Sequence, residues 1–251
     1  MNELRIALLG MSDNTSTRVV CEELSKNGVK LSCLILHKSG FKNNWSRLIR
    51  KLKNSGVKST IKRIFSVLHK RSIDSTQTTK EFSGKIYYVT DPNSRECRQI
   101  IKDEQIDLLL LMVDSIIRKS VFSTPNIATL NAHPGWIPKY RGLGGIIYQI
   151  NDGYLPAISV HEVNESIDNG PLVIRKVFKF PKINTEVEFD YNIYISRAQA
   201  FIDAIKYYQL GNVKYIDTFY DPSNMTRSVT PILRIRALQM INSNNKSPDK
   251  I

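Results

Sequence analysis

The chain has 251 residues, 41% hydrophobic and 9% aromatic, enough apolar material for a large core, so wholesale disorder is excluded. Its 36 Lys and Arg outnumber 23 Asp and Glu, and the resulting net charge of +13 points to an anionic partner. A cytoplasmic protein is expected: the apolar stretch in MNELRIALLG is too short for an export signal, no run approaches the roughly 18 apolar residues of a membrane span, and Cys21, Cys33 and Cys97 form no CxxC pair for zinc or redox chemistry.

Leu4 to Leu9 reads as a buried strand ending at Gly10. Asp13 to Asn27 reads as the returning helix, with Val19, Val20 and Leu24 at helical spacing and Gly28 as its stop. Leu31 to Leu36 and Lys85 to Val89 supply two more strands. Between them, at about 40–82, lies a basic insertion in which cations recur from Lys42 to Lys80 and only Asp74 opposes them. From Phe41 to Arg71, apolar residues such as Ile49, Leu52, Ile61, Phe65 and Leu68 interleave with the cations. That pattern suits an amphipathic helix on an anionic membrane or nucleic acid, and a solvated helical face accounts for it equally well.

Ser94 to Glu104 reads as a helix with Ser94 as N-cap, and Leu108 to Val113, the most apolar run, as a central strand. Ala128 to Asn131 is a short strand entering a Pro- and Gly-rich loop at His133. The alternation predicts an α/β fold: an open, mostly parallel twisted sheet with helices on both faces. Beyond Pro156, Ala157 to Glu162 and Leu172 to Phe180 are separated only by an irregular loop, which predicts an antiparallel strand pair late in the core. Glu186 to Leu210 repeats apolar residues every three or four positions and closes the core as one long helix ending at Gly211. The domains are therefore a core, 1–211, and a small C-terminal appendage, 212–251, punctuated by Pro222 and Pro231.

Gly10 is followed by Met11 and Ser12, not by a phosphate-binding GxGxxG or GxxxxGK[ST] loop, and no GxSxG elbow occurs. His37, His69, His133 and His161 have no metal-ligand spacing, so no metal is expected. What remains is LNAHPGWIPKYRGLGG, Leu130 to Gly145, and ESIDNGPL, Glu165 to Leu172. Asn131 and His133, two apart at a strand exit, share a face and so both face the crevice where open α/β sheets bind ligands. Asp168 begins Asp-Asn-Gly, a turn sequence that also presents a carboxylate. His161, ending AISVH, reads as a structural histidine on a strand. Arg141 either meets a phosphate or is solvated, and Trp136 and Tyr140 either stack on a base or sugar or wedge the loop against the core. Ile137 precedes Pro138 and is a candidate for a cis peptide.

The pair LNAHPGWIPKYRG and IDNGP resembles the signature of the 10-formyltetrahydrofolate-dependent formyltransferases, with Pro134 to Pro138 differing from the family's usual loop and Tyr140, Arg141 and Gly142 restoring it. The resemblance implies a catalytic set of Asn131, His133 and Asp168, and 10-formyltetrahydrofolate as formyl donor. Leu110 to Val113 and the loop Val163 to Ile167 are its expected pocket walls. Within the family the chain is most similar to the nucleotide-sugar N-formyltransferases, because about forty residues after Gly211 leave little for the separate barrel that the transfer-RNA enzymes carry. The implied acceptor is a nucleotide-linked amino sugar in surface polysaccharide (O-antigen, lipopolysaccharide) biosynthesis, held in part by Trp136, Tyr140 and Arg141. No obligatory nucleic acid is expected; peripheral membrane contact through the basic insertion and a homodimer through the exposed strand pair and the tail near Ile232 to Ile241 are. Other amine acceptors, glycinamide ribonucleotide or aminoacyl-tRNA, or an inactive binding protein using segment 41–71, are the alternatives.

Overall fold

The computed structural model describes residues 3–12, 14–37 and 82–242, so the helix expected from Phe41 to Arg71 lies outside the described residues. In chain order these form β1 (Ile6–Met11), α1 (Thr15–Lys26), β2 (Cys33–His37), β3 (Lys85–Val89), α2 (Arg95–Asp103), β4 (Leu108–Met112), α3 (Lys119–Phe122), β5 (Ala128–Pro134), β6 (Arg141–Gly142), α4 (Gly145–Asn151), β7 (Ala157–Glu162), β8 (Leu172–Val177), α5 (Glu186–Gln209), β9 (Met225–Thr226) and α6 (Pro231–Met240). Among the described residues, seven strands make one sheet in the order β3-β2-β1-β4-β5-β7-β8. It is parallel from β3 to β5 and antiparallel from β5 onward. The mostly parallel α/β sheet with a late antiparallel pair is thus observed. The reversal begins one strand earlier than the sequence suggests: the chain from Gly135 to Pro156 stays at the carboxyl end of β5, so β7 can only run back beside it, with Pro134 opposite Ile158.

Strand alternation sorts the core into two layers. Ile6, Leu8, Leu34, Leu36, Leu110 and Leu130 share one with Leu24 of α1 and Phe189, Phe201 and Ile205 of α5. Ala7, Leu9, Ile35, Leu109 and Leu111 share the other with Cys97 and Ile101 of α2 and Val121 of α3. Helices on both faces explain why every residue of β4, LLLLM, is buried. Each fully buried Leu, Ile or Phe contributes about 1.5–3 kcal/mol, so this central strand is the strongest anchor of the sheet. Burial pushes the thiols of Cys21 up to about 11 and of Cys33 and Cys97 up to about 12, which makes them inert core residues.

Helix starts follow from capping. Asn14 accepts from the Ser16 amide at 2.9 Å, so α1 begins at Thr15 and not at Asp13. Ser94 accepts from the Cys97 amide at 3.1 Å. Before α5, Thr185 accepts from the Glu188 amide at 3.1 Å while the Glu188 carboxylate takes the Asn184 amide at 2.8 Å. Strand β8 stops at Val177, short of Phe180, because the Phe178 amide turns to the Pro156 carbonyl at 2.8 Å. The described part of the tail, 212–242, packs on the core: α6 buries Ala237 with Ile146, Ile147 and Ile150 of α4, and Asn151 donates to the Leu233 carbonyl at 2.9 Å. Among the described residues no helix is long and apolar enough to cross a membrane.

At the amino ends of the strands, Glu104 gathers Arg5 at 3.1 Å, Lys85 at 2.6 Å and the Tyr87 hydroxyl at 2.5 Å. Hydrogen bonds from Lys85 and Tyr87 outweigh burial and hold its carboxyl below the ordinary value of 4.5. A depressed folded pKa adds stability that is complete above about pH 4.5 and is lost as the pH falls through the lower folded value. Glu104→Gln is expected to cost about 1–3 kcal/mol at neutral pH and to flatten the acid limb of stability. Urea titrations of both proteins across that limb check it: parallel pH curves would show that the network contributes nothing.

Candidate active site

The site lies at the carboxyl ends of β4 and β5, beside the point where the sheet turns antiparallel. Leu130 and Ala132 of β5 point into the core, so the alternate residues Asn131 and His133 face the opposite way. Strand β7 then sets Asn131 directly opposite His161, and His133 opposite Ser159. The loop from Val163 to Gly170 brings Asp168 over this pair in the left-handed backbone region, φ +46°, with its side chain only 12% exposed.

Asp168 is the hub. Its Oδ1 lies 3.2 Å from Asn131 Nδ2 and 3.4 Å from His161 Nε2, and its Oδ2 lies 3.2 Å from His133 Nδ1 and accepts from the Gly142 amide at 2.9 Å. His133 Nε2 donates to the Tyr140 carbonyl at 2.7 Å. A ring between two acceptors satisfies both only as the imidazolium. His161 Nδ1 donates to the Glu162 carbonyl at 2.8 Å, which leaves Nε2 to accept from Asn131 at 3.3 Å or, when protonated, to donate to Asp168. Burial alone would raise the Asp168 carboxyl, but the charge and hydrogen bonds of His133 and His161 overcome it and hold the group far below the usual carboxylate range. Arg197 reaches from α5 to the carbonyls of Ala132 at 2.8 Å and Leu111 at 3.4 Å, and burial lowers its pKa to about 10.

Asn131, His133 and Asp168 are therefore brought together. The other three residues singled out in the sequence are not presented to solvent. Trp136 is 6% and Tyr140 3% exposed, and both pack with Ala157. Arg175 stacks on the Trp136 ring at 4.5 Å, and the Tyr140 hydroxyl donates to Asp152 at 2.7 Å. Their side chains thus wedge the loop against the core, and what Tyr140 offers the site is its carbonyl. Arg141 is 6% exposed, not a solvated loop residue; its guanidinium lies 5.6 Å from the Tyr220 ring centroid, and among the described residues its Nε has no hydrogen-bond partner. The Ile137–Pro138 peptide is cis. His161, the Gly142 amide and Arg197 belong to the site and carry no local motif. A signal for His161 exists in retrospect: a strand that ends in His-Glu just before the loop carrying Asp168.

The amide and imidazoles offer hydrogens to a developing oxyanion and the ionised Asp168 carboxylate beside them accepts, an arrangement suited to acyl transfer.

A family model described as "Formyl transferase" matches residues 33–205. A methionyl-tRNA formyltransferase from Kosmotoga olearia is 22% identical over 102 residues, 40% of this chain and 33% of that protein. The chain spans between 33% and 40% of the length of the curated relatives it matches. Among solved structures, a phosphoribosylglycinamide formyltransferase from Anaplasma phagocytophilum superposes with a TM-score of 0.56 at 13% identity, over 92% of this chain and 96% of that one. A sugar N-formyltransferase from Shewanella sp. superposes with a TM-score of 0.55 at 14% identity, over 98% of this chain and 92% of that one. At these identities the likeness is one of fold.

Proposed function

The chain belongs to the formyl transferase family, and from that premise we propose that it moves a formyl group from 10-formyltetrahydrofolate to the primary amine of a nucleotide-linked amino sugar, in surface polysaccharide (O-antigen) assembly. The observation that carries the reading is the single carboxylate of Asp168 tied at once to Asn131, His133 and His161. The bound donor supplies an activated formyl carbon. Asn131, whose two amide hydrogens point to Asp168 and His161, turns one of them to the oxygen that gains charge as the amine attacks. His133 presents its ring on the same side, held between the Asp168 carboxylate and the Tyr140 carbonyl. Asp168 keeps His133 correctly turned and anchors the hydrogen-bond network through which the proton shed by the attacking amine passes, by way of a water, to the folate nitrogen that leaves as its bond to the formyl carbon breaks.

The sugar acceptor is favoured by the extent of the likeness: the Shewanella sugar enzyme covers 98% of this chain, including the tail after Gly211. Trp136 and Tyr140 serve this reading as the frame of the acceptor-side loop, and Arg141 as its buried cation. The same reading places the enzyme in the cytoplasm as a homodimer, with the cations of segment 41–71 resting against an anionic membrane.

The test is incubation with 10-formyltetrahydrofolate and a panel of nucleotide-linked 3-amino and 4-amino sugars, glycinamide ribonucleotide and methionyl-tRNA, with mass spectrometry for an added CO. Formylation of a sugar alone is expected. Formylation of the ribonucleotide or the transfer RNA and of no sugar overturns the acceptor assignment.

A further inference from the structure

The tail after Gly211 touches both loops that flank Asp168. The Ile216 amide bonds the Leu172 carbonyl at 2.8 Å, which seats the tail beside the start of β8. The Tyr220 hydroxyl donates to the Gly170 carbonyl at 2.9 Å, two residues from Asp168. The Tyr220 ring also meets the buried Arg141 guanidinium. Strand β9 then pairs with β6, setting Thr226 opposite Gly142. The Thr226 hydroxyl points at the carbonyls of Arg141 and Leu143, at 2.5 and 3.0 Å, and its own carbonyl takes the Leu143 amide at 3.2 Å. The contact is close enough to demand glycine: a Cβ on Gly142, where φ is +85°, would sit 2.8 Å from the Thr226 carbonyl oxygen, and one on Gly144 would sit 2.0 Å from Val229. Gly142 is the residue whose amide donates to Asp168, and Tyr140, two residues earlier, is the carbonyl partner of His133.

We propose that Tyr220 and Thr226 are positioning residues: the C-terminal tail is a brace that holds the Gly142 amide and the Asp168 turn in register, so that the carboxylate meets His133 and the amide donor together. They touch no reacting atom and act through Gly142, Gly170 and Asp168. The proposal deepens the formyl-transfer reading where it concerns rate, and stands apart from it where it concerns the amide. It explains why a two-residue parallel pairing, too small to stabilise a fold by itself, is built at this point.

Thr226→Val removes the hydroxyl and keeps the shape, Tyr220→Phe removes the hydroxyl and keeps the ring, and Thr226→Ser keeps the hydroxyl. Amide hydrogen exchange at Gly142 is expected to quicken about tenfold in Thr226→Val, the loss of one ordinary hydrogen bond, and to stay as in the parent in Thr226→Ser. With an acceptor in hand, kcat falls by a similar factor in Thr226→Val and Tyr220→Phe at unchanged KM. The neutral-range pH profile of kcat is expected to keep its shape, because the Asp168 carboxylate stays ionised there. The groups facing that carboxylate are His133, His161, Asn131 and the Gly142 amide, with Arg197 behind them; none is altered in these variants. Unchanged Gly142 exchange in Thr226→Val overturns the brace, as does an equal effect of Thr226→Ser. If no acceptor is formylated, the proposed function fails and the exchange measurement still decides the brace.

Discussion

His133→Ala and Asn131→Ala are each expected to lower kcat by about 10²–10³, with the Asn131→Ala midpoint close to the parent and the His133→Ala midpoint lower, because Asp168 is left buried without its main partner. The size follows from the geometry. Asn131 supplies amide hydrogens at the rim of the sheet, and removing one preorganised donor to a developing oxyanion has that effect in a water-poor site. His133 is 4% exposed and lies between the Asp168 carboxylate and the Tyr140 carbonyl, so its ring is fixed in place before the substrate arrives. Asp168→Asn keeps the shape and removes the charge. It loses the partner of His133 while keeping a possible contact with Gly142, and about 10²–10⁴ is expected to go from kcat. Because the Asp168 carboxyl is held below its ordinary value of 3.8, it is ionised throughout the neutral range and gives no pH dependence there. Its contribution to stability is complete above that value and declines only as the pH drops through the lower folded one. Steady-state rates against one formylated acceptor, with thermal melts of each variant, decide the matter. Rates near the parent value in His133→Ala or Asn131→Ala would sink the assignment.

The sheet was legible because its strands are apolar runs bounded by turn residues, and the caps at Ser94 and the stop at Gly211 read directly from residue type. Strand register was not legible: nothing local says that His161 faces Asn131, since that pairing follows from how the chain returns through Gly135 to Pro156. The short elements also escaped. Helix α4 spans seven residues behind Leu-Gly-Gly and shows too little periodicity to be told from a loop, and β6 and β9 are two residues each. The tail looked like an appendage because its role lies in single contacts, Tyr220 to Gly170 and Thr226 to Arg141, that leave no pattern in a window of sequence. Arg141 shows the same limit from the other side: an Arg in a Pro- and Gly-rich loop reads as either a phosphate contact or a solvated side chain, yet this one is covered by the tail.

Gly170→Ala is expected to be the most damaging single methyl in the described residues. A Cβ there would sit 1.7 Å from the Glu162 carbonyl oxygen and 2.8 Å from its carbon, inside the van der Waals surface of a strand that cannot recede, because β7 is paired on both sides. Something must move, and what can move is the loop that carries Asp168. Overpacking of this kind costs at least about 3 kcal/mol, roughly a 6–12 °C drop in midpoint for a chain of this size. Glu162 also accepts from His161 through that same carbonyl, so the shift reaches the second imidazole of the site. The variant should therefore lose activity even at temperatures where it remains folded. Gly211→Ala is the control: there φ is +61° but a Cβ meets nothing within 4 Å, so only backbone strain of about 1–2 kcal/mol applies and turnover should persist. Were Gly170→Ala to melt and turn over like Gly211→Ala, the close seating of the Asp168 loop on β7 would be wrong.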